Sequence, residues 1–381
     1  MKTTTIWQCL LLAVATILST AAVASDSWEK TVTAARGETV YLYAWGGSSE
    51  VNQYLRWVAE EVEAQYQIRL VHVKVADIGE AVARLLSENE GFSAVDMLWL
   101  NGENFHQLKT ANELLGELPS RIPNAQAIRS DIPWQSDFGV PVEGFELPWG
   151  IGQFHLIVRS SLLQEFTQNG QLSPQQLLAF AQRYPQRVSY PKPPEFHGTT
   201  FLKSLLHALH NDSELFTRAP SVTSRLALEP LWAFLNQLHP LLWREGQDFP
   251  SGAAFQQQML ANGQLDVAVS FNPQELSVAQ RQGRLPEGLE RVVLGPGAVT
   301  NSHYLAIAKR TRVPHAAQVV MNYLLSKEAQ LRKRDGSGWG DPAVIALPDD
   351  SRQPSLLPAV AEMHIGWVEL LESGWLERYQ Q

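Results

Sequence analysis

The chain has almost no thiol: of 381 residues only Cys9 is a cysteine. A single thiol excludes an internal disulfide framework and any zinc site built on cysteines. Positive charge is also short, with 30 Lys and Arg against 39 Asp and Glu for a net −9, so there is no basic stripe for phosphates and no nucleic-acid partner is expected. The sequence has no phosphate-loop lysine motif and no G-x-G-x-x-G dinucleotide fingerprint, nor a G-x-S-x-G elbow or an H-E-x-x-H helix. It also lacks an adjacent Tyr-Tyr pair.

Cys9 itself falls in a targeting segment. Lys2, the apolar run Ile6 to Ala15 and the small residues Ala22-Val23-Ala24 form the three parts of a signal peptide, which predicts cleavage after Ala24 and export. The residues before Cys9 do not resemble a lipid-attachment box, so the mature chain would carry no thiol.

The rest reads as globular, at 45% hydrophobic and 18% charged residues, and its length suggests two domains. Near its middle, Leu147 to Leu163 reads L-P-W-G-I-G-Q-F-H-L-I-V-R-S-S-L-L. Proline and two glycines forbid helix and Phe154 to Val158 continue as a buried strand, so the stretch is read as a hinge that carries the chain from one lobe into another. Before it, Val40 to Ala44 is a strand, Val51 to Tyr66 a helix by its apolar spacing, Val71 to Val75 a strand, Ile78 to Leu86 a helix and Val95 to Leu100 a strand. Such alternation predicts a parallel sheet covered by helices. In such sheets ligands sit beyond the carboxyl ends of the strands, which selects Trp45-Gly46-Gly47-Ser48-Ser49 and the loop Asn101-Gly102-Glu103-Asn104. A tight turn with Trp45 buried competes with the first choice, and a plain glycine turn with the second.

After the hinge, Ser173-Pro174 opens a helix and Val188 to Tyr190 reads as a short strand. Phe196-His197-Gly198-Thr199-Thr200 starts another helix, either as a dipole-facing ligand site or as simple capping. Leu265 to Ser270 is a strand closed by Phe271-Asn272-Pro273, and Gly295-Pro296-Gly297 leads into a second extended crossing at His303 to Ala308. The end of the chain is rich in Trp and Leu and reads as a closing helix.

The exported start and five stretches in order, Y-A-W-G-G, V-D-M-L-W-L-N, L-P-W-G-I-G-Q-F-H-L-I-V, L-D-V-A-V-S-F-N-P and H-A-A-Q-V-V-M-N-Y-L-L-S-K-E-A-Q, together resemble the extracellular solute-binding proteins of bacterial ABC importers. The likeness is to the cluster of thiamine-, polyamine- and ferric-binding members. It implies an α/β, two-lobed periplasmic binding protein of type II, each lobe a mixed, mostly parallel sheet flanked by helices, with at least two hinge crossings. The expected division is 1–24 signal peptide, 25–150 lobe one, 151–302 lobe two, 303–345 a return to lobe one and 346–381 a helical tail packed on the lobes.

By position the resemblance implies ligand contacts from Trp45, Gly46, Gly47, Ser48, Asn101, Trp149, Phe196, His197, Gly198, Thr199, Asn272 and either His303 or Tyr304, with no catalytic residue, metal or cofactor. The ferric-binding members hold iron with adjacent tyrosines, and His303-Tyr304 stands here instead. Trp45, Trp149, Phe196 and Phe271, with Glu103 and Glu146 near in sequence, fit a flat or cationic organic solute. A thiamine-like compound comes first and a polyamine second. The implied partners are that solute and an ABC permease in the inner membrane, met by a periplasmic monomer. The competing reading from another class is a secreted hydrolase using cleft carboxylates.

Overall fold

The computed structural model describes residues 28–75, 77–88, 91–163, 166, 170–210, 213–347 and 356–380, so the expected signal peptide and its cleavage site lie outside the described residues. The strands among the described residues are β1 (Thr39–Trp45), β2 (Arg69–Val75), β3 (Met97–Leu100), β4 (Ser136–Asp137), β5 (Val140–Pro141), β6 (Glu146–Gln153), β7 (His155–Arg159), β8 (Gln171–Leu172), β9 (Val267–Ser270), β10 (Leu289–Leu294), β11 (Ala298–Ile307) and β12 (Ala359–Ala361). They form two main sheets and one small hairpin, β4 with β5.

The first sheet has the order β12-β11-β3-β1-β2, with β6 on the other edge of β11. β1 lies parallel to β2 and β3, joined through helices Ser49–Tyr66 and Gly79–Ser87. The longer helix forms because Val51, Tyr54, Leu55, Val58 and Val62 bury one stripe; Ser48 caps its start and Gln67, in the left-handed region at φ 58°, ends it. β11 then runs antiparallel to β3 and β6, so the segment that follows the second lobe closes the sheet begun at Thr39.

The second sheet has the order β8-β10-β7-β9. Here β7 is antiparallel to both β10 and β9, and only β8 with β10 is parallel. The mostly parallel pairing expected for each lobe therefore describes β1 to β3 and not the second sheet, which is mixed with antiparallel pairs in the majority. Val188 to Tyr190, expected as a strand, is outside the sheets: the Ser189 carbonyl accepts from the Gln256 side chain instead of a ladder partner.

Sheet membership changes at Phe154, between β6 and β7, and again at Gly295 to Gly297, between β10 and β11. A third passage follows β12, which pairs with β11 before helix Ile365–Tyr379 buries Trp367, Leu371 and Trp375 in the core of the second lobe. Gly150 and Gly152 serve room rather than freedom. A Cβ at Gly150 would stand 2.1 Å from Asp341 Oδ2, and one at Gly152 would stand 2.2 Å from Phe271 Cδ1.

Trp375 donates its indole N–H to the Tyr190 hydroxyl at 2.8 Å and is 1% exposed. Trp375→Ala is expected to cost roughly 3–5 kcal/mol in urea unfolding, because an aromatic cavity and a lost hydrogen bond add. An unchanged midpoint would mean that the closing helix is not part of the lobe-two core.

Candidate functional site

The candidate site residues of the first lobe lie at the carboxyl ends of β1 and β3. Trp45 ends β1 with 44% of its surface exposed, and its indole folds over Gly47, where a Cβ would come within 2.3 Å of Cζ2. The Gly46 N–H donates to the Val75 carbonyl at 3.1 Å, and its own carbonyl accepts from Asn52 Nδ2 at 2.9 Å. Ser48 accepts from the Val51 N–H and donates to Glu50, which also receives Ser49. Burial works to raise the Glu50 pKa, but these hydrogen bonds outweigh it and the pKa is lowered. Asn101, exposed, caps helix Gly102–Thr110 and accepts from Asn104.

The second lobe offers helix Phe196–Leu209, capped by Glu195. Phe196 is 42% exposed, edge-on to Phe271 at 5.0 Å, with the His197 ring 5.5 Å away. Glu195 accepts from the Gly198 N–H and is paired with His197 Nδ1, both at 2.9 Å. Gly198 is packed so tightly that a Cβ would stand 1.8 Å from the Pro191 carbonyl oxygen. Asn272 is half-buried and accepts from the Gln274 N–H.

The two lobes meet along a seam. The Phe138 ring stands where a Gly102 Cβ would go, the Lys203 ammonium lies 4.8 Å from the Phe138 ring and 5.9 Å from Phe196, and Phe196 leads through Phe271 to Gly152 at the crossing. Lys203 is 1% exposed and paired with Glu362 at 2.8 Å. On the far flank Gln282 Nε2 reaches Glu50 at 3.4 Å and Arg281 donates to the Gly336 carbonyl. Lys203 escaped the sequence reading, although it stands alone among charged residues in F-L-K-S-L-L, a signal that such a lysine has a partner.

Several expected contacts fall elsewhere. Trp149 is 0% exposed and stacks edge-on with Trp99 at 5.0 Å and Trp339 at 5.2 Å, inside the first lobe. Tyr304 is 1% exposed and donates to the backbone carbonyls of Trp134 and Ser136. Thr199 is 2% exposed and donates to Glu372, and Gly198 is shut under Pro191. These four shape the site from behind. His303 is reachable, half-buried against Trp339 and 3.3 Å from Asp341. Burial tends to raise the Asp341 pKa, but buried Lys333 and His303 override it and the pKa is lowered.

Glu146 is also sealed in, 0% exposed with neither oxygen hydrogen-bonded to protein, and Asp137 beside it is in the same state. Burial pushes both carboxyls well above the usual range, with the Asp137 charge adding to the rise at Glu146 and the Glu362 charge to that at Asp137. Among the described residues, no group of three His, Cys, Asp or Glu side chains is placed to hold a metal ion.

The model for bacterial extracellular solute-binding proteins matches residues 57–343, most of the chain. The chain belongs to that family. Protein YnjB of Escherichia coli (strain K12) is 40% identical to this solute-binding protein over 384 residues, covering 97% of this chain and 98% of that one. Among solved structures, an ABC transporter protein from Clostridium perfringens shares the fold with a TM-score of 0.64 at 16% identity, over 90% of this chain and 98% of that one. The apo ferric ion-binding protein A of Pasteurella haemolytica does so with 0.63 at 14% identity, again over 90% and 98%. Solute-binding proteins of this kind are two-lobed, bind small-molecule solutes outside the cell's inner membrane and work with an ABC permease.

Two outcomes separate supporting from exposed residues. Trp149→Ala should lower unfolding free energy by roughly 3–5 kcal/mol, whereas Trp45→Ala should change it by less than about 1 kcal/mol. Equal losses in chemical denaturation would contradict the assignment. Because the native pKa of Glu146 is raised above its unfolded value, its contribution is present at low pH and lost as pH climbs through the native pKa. Glu146→Gln should therefore raise the melting temperature more at pH 8 than at pH 5, and an equal shift at both would show that the carboxyl is not strained by burial.

Proposed function

We propose that the chain captures one small organic solute, flat or cationic, between its lobes, closes on it by rotation about the crossing strands and delivers it to an inner-membrane permease. A thiamine-like compound is the first candidate and a polyamine the second. The contacts would come from Trp45, Ser48, Asn101, Phe196, His197, Asn272 and His303, in a periplasmic monomer that begins at Ser25.

The carrying observation is the pair of exposed rings, Trp45 on the first lobe and Phe196 on the second, each at the head of a helix. Large flat faces left to water, one at a strand end and one at a helix start, are suited to stacking on a planar or cationic guest. Glu50 and Glu195 lie beside these rings in sequence, and Lys203, the ammonium on the seam, is already matched by Glu362. A guest that touches both lobes favours the shut form by its differential affinity, which is the only way a ligand can shift the population.

The test is a thermal-shift and tryptophan-fluorescence titration with thiamine, thiamine phosphates, spermidine and putrescine. One of them should raise the melting temperature without turnover. Trp45→Ala should weaken that ligand about tenfold while the free protein melts as before. Silence from every organic cation, or unaltered affinity in Trp45→Ala, would overturn the reading.

A further inference from the structure

The first lobe carries a second concavity, along β1 toward its amino end. Beside helix Gly79–Ser87 a groove of about 790 Å³ opens over Thr39, Tyr41 and Tyr43. Those three side chains share a face by the two-residue period of a strand. Trp45 ends the same strand, so at ~3.3 Å per residue the groove begins about 7 Å from it at Tyr43 and reaches roughly 20 Å away at Thr39.

Its chemistry differs from that of the cleft. Tyr41 is 43% exposed and Phe92, at the rim, is 67% exposed. Two guanidinium groups lie over the rings: Arg84 is 5.9 Å from the Tyr43 centroid and Arg312 is 5.5 Å from that of Phe92. The acids in the lining offset part of that charge: Glu88 accepts from the Ala94 N–H and forms an i,i+4 ion pair with Arg84 at 3.9 Å, and Asp96 accepts from the Tyr41 N–H and the Thr311 hydroxyl. A ring face already topped by a cation repels a cationic guest, whereas the N–H edges of a guanidinium offer paired donors to a planar acceptor.

We propose that this groove is a second ligand site, taking a planar aromatic carboxylate whose ring lies on Tyr41 and Phe92 and whose carboxylate is held by Arg84 and Arg312. The volume falls within the range of small-molecule pockets. This site is independent of the solute in the cleft.

Isothermal titration with 2-naphthoate, and with the neutral 2-naphthamide, tests it. The purified protein should bind one naphthoate per chain, and the amide at least about tenfold more weakly, since a charge-assisted pair is lost. Arg312→Ala and Phe92→Ala, both at the exposed rim, should each weaken naphthoate about tenfold while melting normally. Trp45→Ala should bind naphthoate as the parent does. No saturable binding, equal binding of the amide, or a loss in Trp45→Ala matching that in Arg312→Ala would each overturn the proposal.

Discussion

Everything in this fold hangs on the antiparallel pairing of β6 with β11. The ladder runs from Glu146 opposite Ala306 to Gln153 opposite Thr300, with an irregularity between His303 and Tyr304. Every residue of β6 is buried and only His303 of β11 is not. The strand ends continue directly into the second sheet, so the bond between lobes is a hydrogen-bonded ribbon, not a loose linker. Such a ribbon resists stretching and shear but can twist, which allows rotation of one lobe against the other and little else.

The seam beside that ribbon is where a rotation would be felt. Lys203 from the second lobe sits against Phe138 of the first, and Glu50 of the first reaches Gln282 of the second. Most of the polar groups behind it are matched within the protein, as with Lys333, Asp341 and His303. What remains open to a visitor is mostly aromatic and amide surface. That pattern suits a protein that must hold a guest firmly and then let it go, because few desolvated charges have to be rehydrated at release.

Much of the architecture was legible from residue order. The alternation of two-residue and helical periods gave β1 to β3 and their helices, and breakers marked both main passages. Strand direction in the second sheet was not legible, because β9 is reached only after several helices whose combined path no local pattern encodes. For the candidate site, loop composition singled out Trp45 and Phe196, whose rings are exposed, but could not tell that Trp149 and Tyr304 face inward. In strands buried on both faces the alternation of apolar and polar residues disappears, and with it the clue to which side looks at the cleft. Phe138 and Lys203 meet only through tertiary contact, so spacing gave no hint of their closeness.

The central claim is that a guest tips two jointed lobes shut. Double electron–electron resonance tests it directly, with spin labels on cysteines introduced at exposed Glu63 of the first lobe and exposed Gln237 of the second. In the presence of a solute that binds, the distance distribution should narrow and move to shorter values. A distribution that stays the same while the solute is demonstrably bound would contradict hinge closure and leave a rigid binding protein in its place.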